Sequence, residues 1–430
     1  MIKRNVTLKI QGLKYFSNRY LLFKSYITIL QVLAVLFSTL ILVSCSASKQ
    51  ASATTNWVST WSTSQQLVEP RNLPPEPGLT DNTLRQVVRV SIGGDSLKVR
   101  FSNKFSTYPV TMKEVHFAAS VGGSAIDPNY DVALTFDGKP DVTMEPGAAV
   151  TSDLFSFPLK PCTDVTITIY FGDTSPDVTG HPGSRTTSYI QKGDAVDSIS
   201  LPNAATTDHW YVIDRIDVTA PESAGAVVVL GNSITDGRGS GTNKQNRWPD
   251  VLADRFQENF ATLNVAVVNS GIGGNCVLRN CLGPSALSRF DRDVIDQKGV
   301  KWLIILEGIN DIGGIRDEEQ ATKVTNGLID AYQQMIDKAH AAGIKVYGAT
   351  LTPFAGSFYD TPERIDAWKK VNEWIRTSGR FDAVIDLDKT MEDPANPLHM
   401  LPEADSGDHL HPSELGHKMM GDAVDLKLFR

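Results

Sequence analysis

Two textures of apolar and polar positions divide the chain. From Trp57 to about Val218, apolar and polar residues alternate in short runs: Leu84–Val90, Ser96–Phe101, Val110–Phe117, Asp131–Phe136 and Asp164–Phe171. A period of two puts one face of a strand into a core and the other into solvent. Turn-forming clusters separate the runs, namely Gly93-Gly94, Asp127-Pro128-Asn129, Asp137-Gly138 and Glu145-Pro146-Gly147. Short strands at this spacing predict an all-β sandwich of jelly-roll type over residues 57–219. Past Pro221-Glu222-Ser223 the pattern changes. Continuous apolar runs at Val227, Val265, Trp302, Ile344 and Ala383 read as strands buried on both faces. Between and after them the pattern predicts helices over 248–260, 285–297, 318–342, 362–377 and 413–424. Five parallel strands with covering helices give an α/β fold over residues 224–430, a three-layer α/β/α sandwich.

Small polar clusters follow three of these strands. Val227–Leu230 runs into Gly231-Asn232-Ser233-Ile234-Thr235-Asp236-Gly237, Val265–Asn269 into Ser270-Gly271-Ile272-Gly273-Gly274-Asn275, and Trp302–Leu306 into Glu307-Gly308-Ile309-Asn310-Asp311. A fourth cluster, Asp408-His409-Leu410-His411-Pro412, lies near the C-terminus. Parallel strands deliver their carboxyl ends to one rim, where open α/β sheets bind ligands. A serine there needs a base and an oxyanion site to become a nucleophile. Histidine titrates near neutrality and suits the base, with His411 and His409 both available. Asp408, three residues before His411, reaches an imidazole across a tight turn; Asp405 competes for the same task. Gly274 permits close backbone approach, and Asn310 offers a neutral donor. Arg247, Trp248, Arg279, Arg289 and Phe354 fall near strand ends or site loops and are candidates for lining a pocket.

The four clusters, in this order, resemble the blocks of the SGNH hydrolase superfamily, the GDSL esterases. Gly231-Asn232-Ser233-Ile234 is similar to the GDSI block, Gly274 to the glycine of the second, Gly308-Ile309-Asn310-Asp311 to GxND, and Asp408-His409-Leu410-His411 to DxxH. The resemblance covers roughly the last half of the chain. It implies a flavodoxin-like sheet, Ser233 as nucleophile, and His411 rather than His409 as base, with Asp408 as the third member of the triad. It implies an oxyanion hole made by the backbone N–H groups of Ser233 and Gly274 and the side chain of Asn310. Asn232 departs from the family's aspartate but keeps an acceptor oxygen at the same reach. An N-terminal β-sandwich on such a domain resembles several carbohydrate esterases. The resemblance therefore implies an exported serine esterase acting on an acylated glycan, with acetyl as the first acyl group expected. A lipase or arylesterase is the alternative, and a non-catalytic glycan-binding lipoprotein the alternative from a different class.

Composition narrows the partners. The net charge of the chain is −8. Lys3, Arg4, Lys9, Lys14, Arg19 and Lys24 all precede the apolar segment Tyr26–Val43, so the remainder is more acidic still and suits nucleic acid poorly. That segment ends at Leu42-Val43-Ser44-Cys45, which resembles a bacterial lipoprotein signal: a signal peptide over 1–44, a lipidated Cys45, and a small polar tether over 45–56. An uncleaved membrane anchor is the competing reading. Both place the body outside the cytoplasm, at the periplasm or cell surface and held to the membrane. No Walker motif or GxGxxG follows a strand, and there is no HExxH or paired CxxC, so neither a cofactor nor a metal is expected. Of the 4 cysteines, Cys276 and Cys281 lie five apart in a loop beside the expected site and form a candidate disulfide in an exported protein. Cys162 reads as a single buried thiol.

Overall fold

The computed structural model describes residues 56–430; the leader, Cys45 and all of the tether but Asn56 lie outside the described residues. Strands β1 (Gly225–Gly231), β2 (Val265–Gly271), β3 (Val300–Leu306), β4 (Lys345–Ala349) and β5 (Ala383–Ile385) form a parallel sheet in the order β2-β1-β3-β4-β5. Every residue of β1 is buried, as its unbroken run of apolar and glycine positions demands. The order reverses beside β1, so a crevice opens outside the carboxyl ends of β1 and β3. Helix α1 (Trp248–Gln257) packs with α4 (Glu414–Asp422), and α2 (Glu318–Ala341) with α3 (Pro362–Thr377). Right-handed crossovers put these pairs on opposite faces of the sheet. Asp317, Thr361 and Ser413 each cap a helix by accepting a backbone N–H of its first turn.

Residues 56–220 form two antiparallel sheets and a small third one. One large sheet is centred on Gly94–Ser102 and Ile213–Ala220, the other on Asn82–Arg89, Asp164–Phe171 and Val110–Gly122. The third joins Gln66–Leu67, Thr179–His181 and Trp210–Tyr211. The β-region caps the outer edge of β2. Ser91 Oγ accepts from Val267 N–H at 3.0 Å, and Ser59 N–H donates to the Lys298 carbonyl at 3.0 Å. An uncovered edge strand would present such amides to any passing chain.

Several expected boundaries move, the strand expected to end at Phe117 running on to Gly122 among them, and three of the moves have a readable cause. The strand expected at 131–136 runs instead over Ala125–Ala133 and takes in Asp127-Pro128-Asn129. It pairs on one side only, so Pro128 removes no ladder bond, and irregular register against Val110–Gly122 absorbs the misfit. Helix α1 ends at Gln257 rather than 260, because the Asn259 side chain accepts from Ala261 N–H and turns the chain. The helix expected over 285–297 is α-helical over Ala286–Phe290 and widens to a π-turn over Asp291–Ile295, where Ser270 Oγ donates to the Asp293 carbonyl. Among the described residues, no helix is long and apolar enough to cross a membrane.

Candidate active site

The turn after β1 presents the serine. Asn232 is the N-cap of a single helical turn, Ser233–Asp236, and its Oδ1 accepts from Ile234 N–H at 3.1 Å. This places Ser233 first in the turn, with its backbone N–H among the donors that a helix start leaves free. Ser233 Oγ lies 2.8 Å from His411 Nε2. His411 Nδ1 lies 2.7 Å from Asp408 Oδ2, while Asp408 Oδ1 accepts the backbone N–H of His411 at 2.8 Å. The three expected residues therefore form one continuous chain. His409 is not part of it: its Nδ1 faces Asp405 at 2.6 Å, and the pair only shapes the loop.

Burial alone would raise the Asp408 carboxyl, but the His411 amide, its ring and the Leu410 amide outweigh it and hold the group at about 2. Burial likewise leads in pushing His411 below the ordinary histidine value; Asp408 pulls it up, and Arg238 and Arg185 push it down. At neutral pH the ring is thus a free base with a charged carboxylate behind it.

Opposite His411, the loop after β2 and the turn after β3 converge. Gly274 has φ 70°, a left-handed conformation open to glycine, and a Cβ there would press on Leu282. Asn310 Nδ2 donates to the Asn275 carbonyl at 2.7 Å, and Tyr359 O–H donates to Asn310 Oδ1 at 3.0 Å. These bonds fix which end of the amide carries the donors. Asp311 accepts Val277 and Leu278 N–H at 2.7 and 3.1 Å, tying the Gly274 loop to β3. Cys276 and Cys281 close the same loop with a disulfide. Ser233, Gly274 and Asn310 all border one cavity of about 510 Å³.

The other wall of that cavity comes from the β-region: Gln66, Glu69, Arg71, Arg185 and His209 all border it. Sequence reading missed this wall, because nothing in an alternating strand pattern says which loops will face a distant turn. It also missed the joint behind it. His181 lies with Nε2 2.8 Å from Asp236 Oδ1, three residues past Ser233, and with Nδ1 2.8 Å from the Ser64 carbonyl. Gly183 is required here, since a Cβ would run into the Asp236 carboxylate. Asp236 stands inside the serine block and was the one legible sign of the joint.

The expected pocket residues Arg247, Trp248, Arg279, Arg289 and Phe354 do not line this cavity. Arg289 is fully buried and spends its donors on Ser64 Oγ, Asn275 Oδ1, Asp293 and the Ser270 and Gly231 carbonyls. Arg247 pairs with Asp250, and Phe354 packs edge-on against Trp368. Arg279 lies against the disulfide sulfurs, and Trp248 is buried at the start of α1. Glu307, at the end of β3, is a further buried group that went unread; burial drives its carboxyl well above the ordinary range, with Arg289 pulling the other way.

Residues 229–419 match the GDSL-like lipase/acylhydrolase family. No curated protein matches the chain. Similar solved structures include a lipolytic protein of the G-D-S-L family from Desulfitobacterium hafniense, at 25% identity over 46% of this chain and 96% of that one, TM-score 0.35. An acylhydrolase from Bacteroides fragilis is similar at 23% identity over 48% of this chain and 88% of that one, TM-score 0.35. An acetyl xylan esterase from Geobacillus stearothermophilus is similar at 22% identity over 47% and 94%, TM-score 0.37. The second half of the chain is a GDSL-like acylhydrolase domain, an ester hydrolase.

Proposed function

We propose that this ester hydrolase works through Ser233, His411 and Asp408 on an acylated glycan outside the cytoplasm. The observation that carries the reading is the unbroken Ser233–His411–Asp408 chain at 2.8 and 2.7 Å. Ser233 Oγ attacks the ester carbonyl while its proton passes to His411 Nε2. Negative charge forms on the carbonyl oxygen and is received by the N–H groups of Ser233 and Gly274 and by Asn310 Nδ2. Collapse breaks the ester bond, and His411 returns the proton to the departing alcohol. Water, deprotonated by His411, then attacks the acyl-Ser233 carbonyl; the acyl–Oγ bond breaks, the acid leaves, and His411 Nε2 returns the proton to Ser233 Oγ. Asp408 keeps the proton on Nδ1 and stabilises the imidazolium.

The polar β-region wall and the open cavity support a sugar in the alcohol position. The leader ending in Leu42-Val43-Ser44-Cys45 supports export and anchoring through lipidated Cys45. A disulfide beside the site suits the same compartment. An aryl or lipid ester is the second reading, favoured by Phe358, which borders the cavity and is 70% exposed.

Ser233→Ala tests the mechanism. It should lower kcat by roughly 10⁶ and abolish labelling by a fluorophosphonate probe, with the fold intact. Labelling that persists would put the nucleophile elsewhere. A panel of acetylated glycans and p-nitrophenyl esters ranks the two substrate readings. Membrane fractionation of wild type and Cys45→Ser tests the anchor, and an unlipidated mature chain in wild type would sink it.

A further inference from the structure

The catalytic cavity holds more positive charge than its chemistry needs. Arg71, Arg185 and Arg238 all border it. Among the described residues, none of the three is within ion-pair distance of a carboxylate, and none donates a side-chain hydrogen bond; Arg85, Arg279 and Arg364 also lack ion pairs but spend donors on Thr168 and the Ser124 carbonyl, the Cys276 sulfur and the Ile315 carbonyl. The carboxylates bordering the same cavity are engaged elsewhere. Glu69 accepts from Gln66 and Asn72, Asp236 faces His181, and Asp408 faces His411. Arg185 Nε is one of several buried side-chain polar atoms without a hydrogen-bond partner among the described residues, and it is the one of them carried by a cavity arginine; a buried donor left unmade is costly. Arg185 is also held at φ 52°, a left-handed backbone that a non-glycine residue rarely adopts.

Position sharpens the observation. Arg238 follows Ser233 by five residues, and both Arg185 and Arg238 stand close enough to His411 to disfavour its charged form. Yet His411 must become an imidazolium each time Ser233 attacks. Two unpaired guanidinium groups on the same cavity oppose that step unless an anion arrives with the substrate. His411 also protonates the leaving alcohol, so whatever sits beside it belongs to the alcohol half of the ester. Guanidinium presents paired donors in a plane, which match a carboxylate two-to-two.

Building on the esterase reading above, we propose that the alcohol half of the substrate carries a carboxylate, as an O-acetylated uronate sugar does, and that Arg185 and Arg238 receive it. Arg71, exposed on the β-region, extends the same positive rim outward. Through Arg185 the β-region thereby shares in the specificity of a reaction whose bond-making groups all lie in the other half of the chain.

The test compares kcat/KM on O-acetylated methyl glucuronide with that on the O-acetylated methyl glucoside, using p-nitrophenyl acetate as a neutral reference. Wild type should favour the uronate by at least about tenfold, mainly through KM, and the preference should shrink as salt rises. Arg185→Gln and Arg238→Gln should each move the uronate-to-glucoside ratio toward one; exposed Arg238 keeps the test valid should Arg185→Gln fail to fold. A ratio near one in wild type, or an unchanged ratio in both variants, overturns the proposal. So does a sulfated acetyl-sugar hydrolysed better than the uronate. Ser233-dependent hydrolysis of p-nitrophenyl acetate alongside a ratio near one removes the carboxylate alone. Absence of hydrolysis of every ester removes the esterase reading beneath it.

Discussion

The two walls of the cavity are built on opposite principles. On the hydrolase side, each group sits within a few residues of a strand end or a helix cap. Ser233 follows β1, Gly274 follows β2, Asn310 follows β3, and His411 precedes the Ser413 cap of α4. Strand ends and a helix cap bring them to one rim, and bonds such as Tyr359 to Asn310 and Val277 to Asp311 fix their aim. On the β-region side, Gln66, Arg71, Arg185 and His209 come from four separate loops or short strands and meet only because two sheets and an interface hold them. On the function proposed above, chemistry rests on short-range structure, and selectivity draws on long-range structure through Arg185 as well as on Arg238 beside the serine turn. The hydrolase wall should be sensitive in kcat and the β-region wall in stability and KM.

The comparison breaks first at Asp408. Asp408→Asn keeps the shape but lets the His411 ring take the wrong tautomer, and kcat on p-nitrophenyl acetate should fall by roughly 10⁴. A fall under tenfold would make Asp408 a cap for the loop and no more. Asn310 comes next. Asn310→Ala should lower kcat by roughly 10²–10³ with little change in KM, because the amide acts only as charge develops. Asn310→Asp should be at least as harmful, since it puts negative charge where negative charge must form. Equal rates for all three proteins would leave an oxyanion hole made of backbone alone.

The β-region is tested by its joint. His181→Ala leaves the Asp236 carboxylate buried without its partner and should cost roughly 3–5 kcal/mol in a denaturant titration. Loss of activity without loss of stability would mean that the joint tunes Ser233 directly rather than holding the walls together.

The smallest effect separates two buried histidines. His417 Nδ1 accepts from Trp248 N–H at 3.3 Å and Nε2 faces the Arg238 carbonyl at 3.1 Å, so the neutral ring satisfies both. Burial pushes its pKa down to about 4, against about 6.5 in the unfolded chain. The unfolded state thus binds the extra proton first. This contribution to stability is full above about pH 6.5 and is lost as pH falls toward 4. Melting temperature should drop across that window in wild type and less steeply in His417→Gln. As the base of the proposed mechanism, His411 should instead show in the rate: its lowered pKa should carry the acid limb of kcat/KM below the ordinary histidine value.

Legibility in the sequence followed the same divide. Continuous apolar runs ending in glycine and a polar cluster made β1, β2 and β3 readable, and α3 runs over Pro362–Thr377 as its periodicity and proline predict. The strand over Ala125–Ala133 was misplaced because an edge strand tolerates the proline that would stop a central one. Arg289 was misread as a pocket residue: an arginine near a strand end looks the same in sequence whether its five donors meet substrate or bury themselves among Ser64, Asn275 and Asp293.

The sequence by itself determined the parallel sheet, its rim and the residues gathered there, because strand, turn and cap are decided by neighbours along the chain. Only the tertiary structure decided that His181 holds Asp236, that Arg185 borders the same cavity as His411 from more than two hundred residues away in the chain, and that Arg185 Nε is left without a partner. Those facts depend on how two sheets pack. Packing is set by the sum of many weak contacts between distant segments, and no local pattern records it.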